Sequence, residues 1–121
     1  MHTILVVDDT PSELELMTRF LQESGFSVIV ATDAKEAISK VSAHKPDVVV
    51  TDVVMPGMSG FELCRTLKKS EATKKIPIVV CTSKNQDLDR LWGMKQGADV
   101  YVTKPFTKDD LVKAVKSAME V

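Results

Sequence analysis

Asp8-Asp9, Asp52, Thr82-Ser83 and Thr103-Lys104-Pro105 are the residues of this chain whose types could do chemistry, and each group follows directly on a short apolar, β-branched run. Taken singly, acids and hydroxyls at such places are turn formers and helix caps, and a lysine is a solvated surface charge. The ordinary reading leaves some of them over. Thr10 already stands where a helix cap belongs, so Asp8 and Asp9 are spare, and Asp52 precedes Val53-Val54-Met55-Pro56-Gly57, which opens no helix. If the first and third runs are neighbouring strands, three carboxylates converge. At about 5 Å and an effective dielectric of about 20, each like-charge pair costs roughly 3 kcal/mol.

Something cationic must offset that repulsion. Mg²⁺ suits the donors, because it takes one or two carboxylates, keeps several waters and leaves room for phosphate oxygens. Lys104 supplies a second, fixed positive charge. A carboxylate between a metal and a lysine is suited to attack phosphorus, since phosphoryl transfer asks the protein mainly for positioning and charge stabilisation. Asp52 is then the nucleophile and phosphoacceptor. Thr82 offers its hydroxyl to one phosphoryl oxygen and Lys104 pairs with another. The metal is expected on Asp9, Asp52 and the backbone carbonyl of Val54, with Asp8 acting through a metal-bound water.

These residues need elements to hold them. Strands are expected at Ile4 to Val7, Ser27 to Ala31, Val48 to Thr51, Ile78 to Cys81 and Val100 to Val102, separated by helix-length amphipathic stretches. Near-continuous apolar strands of this kind are buried on both faces, which means a parallel sheet with helices on each side. Thr10-Pro11-Ser12-Glu13 reads as a capping box, and Asp33 with Glu36, Ser59 with Glu62 and Thr107 with Asp110 repeat its spacing. Gly25, Pro46 and Gly97 mark helix stops. Leu14, Met17 and Leu21, with Phe20, form the core stripe of the first helix, and Trp92 shares a face with Leu88 and Leu91 that is expected to pack. The expected fold class is α/β, a flavodoxin-like (βα)5 doubly wound sandwich; with the first and third strands as neighbours its strand order is 2-1-3-4-5, and ligands bind outside the carboxyl ends of the strands.

The chain of 121 residues fits a single domain over 1–121, and its 44% hydrophobic and 27% charged residues are an ordinary globular balance. A net charge of −1, with no basic block, argues against nucleic acid as a partner. No apolar stretch is long enough for a signal peptide or a membrane span, so a cytoplasmic protein is expected. Cys64 and Cys81 lie far apart in apolar segments and read as packed, reduced thiols.

The run Ile4-Leu5-Val6-Val7-Asp8-Asp9, Asp52 followed by Met55-Pro56-Gly57-Met58-Ser59-Gly60, then Thr82, then Lys104-Pro105-Phe106 resemble, in that order, the receiver domains of two-component response regulators. The resemblance covers the whole chain. Within the family the chain is similar to stand-alone CheY-like regulators, and the stretch from Ser83 to Ala98 resembles the PilH and PilG type of type IV pilus twitching motility. It implies a histidine kinase as phosphoryl donor and a separate motor or signalling protein as reader, or no reader if the chain is a phosphate sink. It also implies a cis Lys104-Pro105 bond and a switch in which Thr82 and Tyr101 reshape the face of the fourth helix, fifth strand and fifth helix. Val54 and Lys84, each two residues past a key side chain, are expected to tune the lifetime of the phosphoaspartate. The expectation is a monomer without an output domain, a signalling protein rather than an enzyme. A phosphorylation-independent interaction module of the same fold is the main rival. A phosphatase with an aspartate nucleophile would need an acid where Val54 stands, and a flavin-binding flavodoxin would need a Ser/Thr/Gly-rich phosphate loop in place of Asp8-Asp9.

Overall fold

In the computed structural model, which describes residues 2–83 and 87–120, strands and helices alternate along the chain. They are β1 (Thr3–Val7), α1 (Pro11–Glu23), β2 (Ser27–Ala31), α2 (Ala34–His44), β3 (Val48–Thr51), α3 (Gly60–Lys69), β4 (Ile78–Thr82), α4 (Asp87–Lys95), β5 (Val100–Thr103) and α5 (Lys108–Met119). All strand pairings are parallel, as the alternation of apolar runs and amphipathic helices implies, and the order is β2-β1-β3-β4-β5, which places the first and third strands side by side.

Side-chain alternation divides the core between the two faces of the sheet. Ile4, Val6, Val48, Val50, Val79 and Cys81 pack against α1 and α5. Leu5, Val7, Val49, Ile78 and Val80 pack against α2 and α3. Met17 and Leu21 of α1 are fully buried, so the expected core stripe forms. Both cysteines are free and buried, and burial pushes each thiol up to about 12, which keeps them protonated packing groups.

The helix starts differ in a way the sequence does not disclose. Asp33 accepts from the Glu36 N–H and Ser59 from the Glu62 N–H. At α5 the capping box closes in both directions between Thr107 and Asp110. At α1, Thr10 is the N-cap residue, yet its side chain makes no capping bond. The box expected from Thr10 and Glu13 does not form. The Thr10 N–H instead donates to Asp8 Oδ1 at 2.9 Å, so Asp8 is not spare: it does the local work that the glutamate of a box would do.

Of the expected α4 stripe, Leu88 lies outside the described side chains, and the packing of Trp92 and Leu91 fails. Trp92 is 53% exposed and Leu91 54%. Gly93 is the residue that α4 turns inward, and a Cβ there would press within 3.0 Å of the Tyr101 ring and of Phe61. With the small residue facing the sheet, its large neighbours face outward.

Candidate functional site

Asp8, Asp52 and Lys104 are each the first residue past a strand, and each is still tied to the neighbouring strand by its backbone. The Asp8 N–H donates to the Ala31 carbonyl at 3.1 Å, the Asp52 N–H to Val7 at 3.0 Å, and the Lys104 N–H to Thr82 at 2.7 Å. Val7 and Thr51 are register partners, so the next residues, Asp8 and Asp52, emerge side by side on the carboxyl edge of the sheet. Thr82 and Thr103 are partners in the same way, which brings Lys104 alongside. The Lys104-Pro105 peptide is cis, as expected. Gly60 completes the scaffold: a Cβ there would overlap the Asp52 carbonyl oxygen, so only glycine lets α3 begin directly against the Asp52 peptide.

Carboxylate oxygens of Asp8, Asp9 and Asp52 all lie within 4.8 Å of one another. Their exposure is graded: Asp8 is buried, Asp52 half-buried and Asp9 exposed, so the cluster opens to water on one side. Lys104 Nζ donates to Asp8 Oδ2 at 3.0 Å and lies 3.8 Å from Asp52 Oδ1. The Val53 N–H donates to Asp52 Oδ1 at 2.8 Å. Burial raises the Asp52 carboxyl above its ordinary value; Lys104 and the Val53 N–H pull it down, and Asp8 and Asp9 push it up again. Burial works against the Lys104 charge, but the hydrogen bond to Asp8 and the charges of Asp52, Asp8 and Glu13 prevail and raise it.

The structure thus brings together Asp8, Asp9, Asp52 and Lys104. Thr82 ends β4 next to them and is buried. Tyr101 lies opposite Val80 in the sheet, two residues before Thr103, and its ring is buried. The Arg90 guanidinium sits 5.2 Å from the ring centroid and donates to Thr103 Oγ1 at 3.2 Å, holding α4 to β5 across the ring. The Val54 side chain is 62% exposed. Lys84 lies outside the described residues.

Sequence reasoning missed Glu13. Its Oε2 lies 3.6 Å from Lys104 Nζ, making it a further carboxylate around that ammonium. The only available signal was its place in the first turn of the helix that follows Asp8-Asp9, a turn that must stand over the same sheet edge. Reading it as a capping residue hid this.

The donor set fits a hard divalent cation: all oxygen, with one buried anchor and an aqueous side. Among the described residues, no helix is long and apolar enough to cross a membrane.

Comparison with known proteins gives a consistent picture. The response regulator receiver domain pattern matches residues 4–116. Protein PilH of Pseudomonas aeruginosa is 39% identical over 119 residues, covering 98% of each chain. The alkaline phosphatase synthesis transcriptional regulatory protein PhoP of Bacillus subtilis is also 39% identical, but this chain spans only 48% of its length. Among solved structures, the chemotaxis response regulator CheY4 of Vibrio cholerae superposes with a TM-score of 0.91 at 31% identity over 98% of both chains. The BeF3-activated DrrB receiver domain does so with a TM-score of 0.87 at 33% identity, over 100% of this chain and 99% of that one.

Proposed function

We propose, since the chain belongs to the response regulator receiver domain family, that it is a phosphorylation switch with Asp52 as acceptor. The observation that carries the reading is the meeting of three carboxylates and one lysine on the carboxyl edge of a parallel sheet. An Asp52 carboxylate oxygen attacks the phosphorus of a phosphohistidine on a kinase, or of a small acyl phosphate. The new O–P bond forms as the bond to the donor's leaving group breaks, and the electron pair leaves with that group.

Burial leaves the Asp52 carboxyl poorly hydrated and raises it above its ordinary value, while Lys104 and the Val53 N–H act in the opposite direction, toward the ionised form that attacks. Asp8, Asp9, Asp52 and the Val54 carbonyl would hold Mg²⁺, with Asp8 reaching it through water. When bound, the ion supplies charge neutralisation for the incoming phosphoryl oxygens. Lys104 is near enough to move from the carboxylates to a phosphoryl oxygen. The Thr82 hydroxyl, at the end of the adjacent strand, takes another.

A doubly charged group at Asp52 draws Thr82 and Lys104 toward it. Thr82 and Tyr101 belong to paired strands beneath α4, so their rearrangement is transmitted to the α4–β5–α5 face, where a separate cytoplasmic partner reads it. A coupling of about 1–3 kcal/mol is enough to change that partner's affinity several-fold to a hundredfold. Similarity to PilH over almost the full length favours a pilus or chemotaxis-like signalling pathway.

Intact mass after incubation with acetyl phosphate and Mg²⁺ tests the reading. One added phosphoryl group is expected in the wild type, and none in Asp52→Asn or with chelator. No gain in the wild type, from this donor or from a histidine kinase, would leave a phosphorylation-independent interaction module as the better account.

A further inference from the structure

Lys104 Nζ is shared among carboxylates of unequal standing: Asp8 at 3.0 Å, Glu13 at 3.6 Å and Asp52 at 3.8 Å. Asp8 and Asp52 belong to the metal-binding cluster; Glu13 does not. Glu13 is also released from local duty, because the backbone N–H it would take in a capping box is already held by Asp8. It lines an open cleft of about 470 Å³ together with Ser83, Lys104 and Phe106, so its side chain has room to move when the ammonium moves.

We propose that Glu13 is a positioning residue for Lys104: its carboxylate holds the ammonium back in the unphosphorylated protein and so sets the rate at which Asp52 takes up a phosphoryl group. The role rests on the phosphoacceptor reading above. Two consequences of the same charge act in one direction. Lys104 must give up Glu13 to reach a phosphoryl oxygen, and an anionic donor approaching the site meets the Glu13 carboxylate beside the lysine it needs. The ion pair is half open to water, so the effect is graded rather than all-or-none.

The test compares Glu13→Gln with Glu15→Gln, which removes the same charge from the same helix two residues on, where the side chain faces another direction. Phosphoryl uptake from acetyl phosphate at saturating Mg²⁺ is followed by intact mass. The Lys104 side-chain NMR signal is recorded in the unphosphorylated, metal-free proteins. The expected result is uptake about three- to fivefold faster in Glu13→Gln, near-wild-type uptake in Glu15→Gln, and a Lys104 signal displaced only by the first substitution. A merely structural role would leave that signal in place and shift backbone signals along α1. Wild-type uptake with equal rates in Glu13→Gln, or an equal gain in Glu15→Gln, would overturn the role of Glu13 alone. A wild type that takes up nothing would overturn the phosphoacceptor reading and this role with it.

Discussion

The N-termini of α1 and α5 begin with nearly the same instruction, Thr-Pro-Ser-Glu at one and Thr-Lys-Asp-Asp at the other, and they end differently. At α5 the threonine and the acid three residues on close a reciprocal capping box, and Asp110 is held below its ordinary carboxylate value by the hydrogen bonds from Thr107. At α1 the threonine side chain caps nothing, Asp8 takes the backbone N–H, and Glu13 turns to Lys104. The local preference is the same in both places. What differs is that α1 starts over a cluster of carboxylates around one ammonium: Asp8 supplies the charge-assisted bond to the Thr10 N–H that a box would take from Glu13, and Glu13 is left to pair with Lys104.

The contrast can be broken most severely at its cation. Lys104→Met leaves the buried Asp8 carboxylate without its ion pair, and a loss of about 2–3 kcal/mol is expected. That is below the usual cost of breaking a buried pair, because the cluster is open to water at Asp9. Urea denaturation with and without Mg²⁺ checks it: added Mg²⁺ should return part of the loss, and a variant as stable as the wild type in metal-free buffer would mean that Lys104 does not balance the acids.

The caps come next. Thr107→Ala should cost about 1 kcal/mol, and Thr10→Ala no more than about 0.3 kcal/mol, since only the first removes a capping bond. Equal losses in thermal or chemical unfolding would show that the α1 box forms in solution after all.

The pH dependence of the two sites should have opposite signs. Asp110 is depressed in the fold, so its contribution is present above its unfolded value and fades as pH falls through the folded one. Asp52 is raised, so the folded state favours its protonated form; that contribution is present below its unfolded value, near 3.8, and is lost as pH rises through the folded value. Asp52→Asn should therefore raise the midpoint of thermal unfolding at pH 7 without metal, and the gain should vanish toward pH 3. A gain that instead grew on acidification would reverse the assignment. The smallest effect is expected at Val54, exposed beside the acceptor: Val54→Asn should change the phosphoaspartate lifetime with little change in stability, and an unchanged decay rate would remove its tuning role.

Most of the scaffold was legible in the sequence because it rests on short-range signals. The five β-branched runs became the five strands, with each end within a residue of expectation, and Thr10, Asp33, Ser59 and Thr107 are all N-cap residues. The strand-end positions of Asp8, Asp52, Thr82 and Lys104 were legible for the same reason. Where contacts depend on distant parts of the chain, local pattern misled. Glu13 looked like a cap because its ammonium partner, Lys104, stands just past β5, most of the chain away. Trp92 looked like a core residue because its helical face was judged without knowing that Gly93 is the side of α4 that meets Tyr101.

Reduction with borohydride of the protein phosphorylated by acetyl phosphate and Mg²⁺ tests the central claim most directly, because it turns an aspartyl phosphate into homoserine that peptide mass spectrometry can place. Homoserine at position 52 alone is the expected result. Homoserine at 8 or 9, or an aspartate at every position despite a gained phosphoryl mass, would contradict Asp52 as the acceptor.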